Sequence, residues 1–125
     1  MGLFGNLFKG RPKVHPTSVR DHATFQREVL ESDRPVIVDV WSPSCGPCKR
    51  LVPVLTNVAT DFSERVRVVE ISTEAEGKLL AALGVRSTPT LIIYDQGEEL
   101  GRQVGYRPES WFAEMIDTEF PEGPA

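Results

Sequence analysis

The 125-residue sequence predicts an α/β sandwich, a central mixed sheet with helices on both faces. Three observations lead there. The runs Pro35-Val36-Ile37-Val38-Asp39-Val40-Trp41 and Val66 to Ile71 are short, β-branched and almost wholly apolar, as strands buried on both faces are. Stretches with apolar residues at helical spacing alternate with them. A second pair of strand-like runs is joined by a short Gly-containing turn. Parallel strands need crossover connections, and helical crossovers cover both faces of the sheet. The predicted order is β-α-β-α-β-β-α in three α/β/α layers, with Thr17 to Arg20 supplying a short first strand.

Each element has a local reason. Asp21 caps a helix carrying Phe25, Val29 and Leu30. The Val36–Trp41 run is the next strand. A helix follows Cys45, with Leu51, Val54, Leu55, Val58 and Phe62 on one face, and Pro53 inside it predicts a kink because proline has no N–H to donate. Val66 to Ile71 is a strand. Glu74 to Leu83 reads as a helix ended by Gly84. Thr90 to Tyr94 and Leu100 to Val104 form a hairpin through Asp95-Gln96-Gly97-Glu98. Pro108 suits the first position of a last helix that buries Trp111, Phe112, Met115 and Ile116.

This division makes residues 17–120 one folded domain. Residues 1–16 form an N-terminal leader and 121–125 a C-terminal tail. Leu3, Phe4, Leu7 and Phe8 of the leader line one side of a single helical turn, ahead of Lys9, Arg11 and Lys13. Two readings stand for it: an amphipathic anchor or a flexible extension.

Bulk properties narrow the function. A chain of this length buries roughly two thirds of its unfolded surface and needs no metal or disulfide as a staple. A net charge of −4 gives no general attraction to phosphate backbones, so nucleic-acid binding is not expected. No apolar run approaches the ~20 residues of a transmembrane segment. Met1 to Lys13 has no basic region ahead of its apolar residues, which Gly5 and Asn6 interrupt, so no signal peptide is read and a cytoplasmic location is expected. A monomer is expected.

The chemistry centres on Cys45-Gly46-Pro47-Cys48, the only two cysteines, placed between a buried strand and a helix start. A helix N-terminus presents unpaired N–H groups and partial positive charge, which favour thiolate over thiol. That placement should draw Cys45 from the ordinary value of about 8.5 toward neutrality, and Lys49 adds a cation. Cys45, the outer residue, is the expected nucleophile and Cys48 the resolving thiol. Attack of Cys45 on a substrate disulfide gives a mixed disulfide, which Cys48 resolves to leave Cys45–Cys48 as the redox-active disulfide. Half of a zinc site is the competing reading. Zinc and iron–sulfur clusters usually take four ligands, and His15 and His22 lie far off in sequence, so no metal is expected from one chain.

These residues carry a resemblance. Val38-Asp39-Val40-Trp41, then Cys45-Gly46-Pro47-Cys48-Lys49, then Pro53, resemble the active-site segment of thioredoxins. Gly84-Val85-Arg86-Ser87-Thr88-Pro89-Thr90-Leu91 resembles the cis-proline segment of that family, and Gly97 and Gly105 fall at its later turns. The likeness covers roughly residues 18–118 and implies the thioredoxin fold. It also implies that Thr88–Pro89 is cis, with Thr88, Pro89 and Gly105 beside the nucleophile to bind an extended substrate chain. Asp39 matches the family's buried acid, which implies proton transfer to and from Cys48 and a carboxyl raised by desolvation. Trp41 is read as a large core residue that shields the sulfurs.

Three positions depart from the family pattern. Ser44 stands where thioredoxins usually carry Trp, and Thr88 replaces an aliphatic residue. Glu70 stands where Lys is common, and it either shares a proton with Asp39 or points to solvent. The expected function is reduction of protein disulfides, with disulfide-containing proteins as substrates and a thioredoxin reductase as electron donor. No Gly-rich dinucleotide fingerprint is present, so no cofactor is expected to bind this chain. The alternatives are a docking module or a redox partner dedicated to one client.

Overall fold

The computed structural model describes residues 12–121. Its five strands are β1 (Thr17–Ser18), β2 (Val36–Trp41), β3 (Arg67–Ser72), β4 (Thr90–Asp95) and β5 (Glu98–Val104). The α-helices are α1 (His22–Phe25), α2 (Gly46–Asp61), α3 (Gly77–Leu83) and α4 (Glu109–Glu119), and α1 continues as a π-helical turn, Gln26–Leu30. The sheet runs β1-β3-β2-β4-β5, parallel from β1 to β2 and antiparallel from β2 to β5. This is the expected α/β sandwich on a mixed sheet. The order β-α-β-α-β-β-α begins at β2, so β1 and α1 precede it rather than opening it.

Side-chain alternation along the strands builds the three layers. Val36, Val38 and Val40 of β2 join Val69, Ile71, Ile92 and Tyr94 against Phe25, Val29, Leu79 and Leu83. Ile37 joins Val68, Leu91 and Ile93 on the opposite face, against Leu51, Leu55, Val58, Phe112 and Ile116 of α2 and α4. Asp39 therefore points toward α2. The period of two places a carboxylate among apolar side chains.

Several boundaries differ from the sequence reading, each for a local reason. Phe25, Val29 and Leu30 sit on a turn that widens, with the Glu31 amide donating to the Gln26 carbonyl five residues back. α3 starts at Gly77, not Glu74. Ala75 and Glu76 are drawn off: their amides donate to the Ser72 and Arg20 carbonyls in a turn. Pro108 is the N-cap of α4 rather than its first residue, with φ −75° and ψ 165°. The first strand shrinks to two residues, extended by the Val19 amide donating to the Glu70 carbonyl. Pro53 lies inside α2, as the sequence reading has it, with its ring exposed. Gly84 closes α3 with φ 63°, as expected of a left-handed cap.

The proposed anchor residues Leu3, Phe4, Leu7 and Phe8 lie outside the described residues, as does the tail beyond Pro121. The end of the leader is placed: the Val14 amide donates to Thr60 Oγ1 of α2 at 2.8 Å. No helix among the described residues is long and apolar enough to cross a membrane.

Candidate active site

The end of β2, the loop Ser42–Ser44 and the start of α2 form one continuous device. Cys45 is the N-cap of α2, its backbone extended, and its sulfur accepts from the Cys48 amide at 3.2 Å. The Cys45 amide donates to the Ser42 carbonyl at 3.2 Å. Pro47 lies in the first turn, where a missing N–H costs nothing. Cys45 and Cys48 are joined as a disulfide, with Cα atoms 5.3 Å apart. Cys48 is 3% exposed, whereas Cys45 is only half-buried. Gly46, Lys49 and Ser44 are exposed around them. Among the described residues no cluster of three or more His, Cys, Asp or Glu side chains is arranged to hold a metal ion.

A second loop approaches from the head of β4. Thr88–Pro89 is cis. Pro89 is buried, and its carbonyl accepts from the Gly105 amide at 2.8 Å. Gly105 has φ 97°, a region that L side chains rarely adopt, which explains glycine there. The Thr88 hydroxyl pairs with the Ser42 hydroxyl at 3.1 Å. Two loops 46 residues apart are thus tied by hydroxyl groups beside the disulfide.

Behind the disulfide lies a cleft of about 290 Å³. Asp39, Trp41, Cys48, Lys49 and Glu70 line it together with His15 and Thr56. Asp39 is 5% exposed, and its Oδ1 has no hydrogen-bond partner among the described residues. Burial pushes its carboxyl up to about 7, and the neighbouring charge of Glu70 adds to the effect. Asp39 and Glu70 are register partners on β2 and β3. Of the two orientations expected for Glu70, the side chain takes the cleft, where the Trp41 indole N–H donates to its Oε2.

The structure thus brings the expected residues into two neighbouring groups. Cys45, Gly46, Pro47, Thr88, Pro89 and Gly105 make the outer one. Asp39, Trp41, Cys48, Lys49 and Glu70 make the inner one. Sequence reasoning missed Ser42, Thr56 and His15. Ser42 had one available signal, a hydroxyl residue in the loop just ahead of the cysteines. His15 had none, since its place over the cleft follows from Val14 being tied to α2.

The family model for thioredoxin matches residues 16–118. The chain is 41% identical over 95 residues to thioredoxin 1 of Synechococcus elongatus, covering 76% of this chain and 89% of that protein. It is 38% identical to the thioredoxin of Haemophilus influenzae over the same shares of each chain. It is 36% identical to thioredoxin 1 of a Nostoc species, again over 76% and 89%.

Proposed function

The chain belongs to the thioredoxin family and is a thiol–disulfide oxidoreductase, and from that premise we propose that it reduces disulfide bonds in client proteins, recharged by a thioredoxin reductase. One observation carries the reading. A half-buried sulfur caps a helix N-terminus while its disulfide partner lies buried one turn deeper. In the reduced protein the helix end favours the Cys45 thiolate. That thiolate attacks a client disulfide, forming a Cys45–client bond and expelling the client's other sulfur as a thiolate, which takes a proton from water. Cys48 then gives its proton to the Asp39 carboxylate and attacks the Cys45 sulfur. The Cys45–Cys48 bond forms, and the client's second thiolate leaves. Two electrons have passed to the client, and the reductase returns them. No bound cofactor is required of this chain.

The groove around Cys45 supports binding of an extended client segment. The backbone at Thr88, held by the cis bond to Pro89, offers it a strand-like edge, and Gly105 leaves room beside it. A restricted client set is favoured by Ser44, which is exposed and offers no flat aromatic contact, and by the Thr88 hydroxyl already committed to Ser42. A cytoplasmic location accords with this reductive role.

Reduction of insulin disulfides by the chain with its reductase tests the reading. Steady turnover is expected, abolished in Cys45→Ser. A Cys48→Ser protein is expected to accumulate mixed disulfides through Cys45, and their identities separate a broad client set from a single one. A wild-type protein that reduces no protein disulfide, and a trap that captures none, would leave a docking role instead.

A further inference from the structure

The inner group of the site contains two carboxyl groups where one suffices for proton transfer. Asp39 and Glu70 are paired in register on adjacent parallel strands, and both line the cleft behind Cys48. Adjacent carboxylates in a poorly solvated space repel, so the second to ionise does so with difficulty. Their exposure is unequal. Asp39 is buried and its Oδ1 has no partner among the described residues, whereas Glu70 is only partly buried and accepts a hydrogen bond from the Trp41 indole. The indole holds the Glu70 carboxyl in the cleft beside Asp39, and the neighbouring charge of Glu70 adds to burial in favouring a proton on Asp39.

The other groups around Asp39 do not cancel this. Lys49, the cation that lines the cleft from α2, is exposed, and solvent screens its charge. His15, from the segment ahead of β1, is exposed as well. Cys48 is the group Asp39 serves. β4 places Leu91, an apolar neighbour, opposite Asp39.

We propose that Glu70, held by the Trp41 indole, is a positioning residue that makes Asp39 a stronger base toward the Cys48 thiol and stores the proton there for the return step. This rests on the reading that Asp39 exchanges a proton with Cys48. In client reduction the Cys48 S–H bond breaks and an O–H bond forms on Asp39. In recharging, a reductase thiolate attacks Cys45, Cys48 leaves as a thiolate, and Asp39 returns the proton to it. Glu70 makes and breaks no bond. Its charge sets the pH range over which Asp39 can accept the proton. The rise of the Asp39 carboxyl to about 7, caused first by burial and second by Glu70, agrees with this.

The test follows the Asp39 carboxyl carbon by NMR titration of the oxidised full chain, beside the pH profile of insulin reduction. Glu70→Gln is expected to lower the Asp39 midpoint by about one pH unit and to move the profile the same way. Glu70→Lys should lower it further, and Glu70→Asp should recover most of the wild-type midpoint. A purely structural role for Glu70 would change stability and leave the midpoint where it was. A Glu70→Gln midpoint that coincides with wild type overturns the inference. Asp39→Asn separates the two levels of the argument. If that protein reduces insulin with the wild-type pH dependence, the role of Asp39 fails and this inference with it. If it is defective while Glu70→Gln titrates as wild type, the inference alone fails.

Discussion

At the scale of single residues, Asp39 links function to stability. Its carboxyl rises from an ordinary 3.8 to about 7 on folding, chiefly through burial. Between those values the folded protein holds a proton that the unfolded chain releases. Stability therefore falls as pH rises through that window and levels off above about 7. Asp39→Asn has no such penalty. It should exceed the wild type by on the order of 4 kcal/mol at pH 8, with the gap closing as pH falls toward 4. Urea unfolding at several pH values reads this directly, and a gap independent of pH would mean that Asp39 is not buried as a charge. The same residue was legible beforehand, because an acid inside an apolar strand stands out. Its pairing with Glu70 was legible only as one of two orientations, since a strand's two faces differ by a single residue of phase.

Among the secondary-structure elements, the β4–β5 hairpin is the most exposed to single changes. Its two central residues, Gln96 and Gly97, both have positive φ, 51° and 81°, as a type I′ turn requires. Glycine suits the second position twice over, because a Cβ there would meet the Leu30 carbonyl at 3.1 Å. Gly97→Ala should cost about 1–2 kcal/mol. Gln96→Asn, a residue that tolerates the left-handed region, should gain about 0.5 kcal/mol. Urea midpoints with unchanged slopes would show both as changes in stability. The Gly97 signal made this hairpin readable from sequence to within two residues. The start of α3 was not readable, because the Glu76 amide is taken by the Arg20 carbonyl, 56 positions away in the chain. No local period reports such a bond. The wide turn after α1 escaped likewise, since apolar residues spaced four and five apart fit an ordinary helix nearly as well.

For the molecule as a whole, the sheet divides two separate cores, and only the one shared by α2 and α4 adjoins the cleft. Phe112 of α4, fully buried, anchors that side. Phe112→Ala should lower unfolding free energy by about 3–5 kcal/mol, whereas the same measurement on Tyr106→Ala, an exposed position, should show well under 1 kcal/mol. Both cores could be read in advance from strands apolar on each face. What linked them to the chemistry was less visible: the bonds of Ser42 to Thr88 and Val14 to Thr60 each span 46 residues, the first joining two loops and the second tying the end of the leader to α2. The sheet also ends unevenly. β1 offers an outer edge of two residues, but β5 offers seven, almost all exposed, with Leu100 and Val104 among them. Glu98, Glu99 and Arg102 interrupt that apolar border, and Arg102 grips Glu99 at 2.6 Å. Charges on a free border hinder a neighbouring copy from annealing its own strand there. Those three side chains, remote from the sulfur chemistry, thus work against association of copies through this edge.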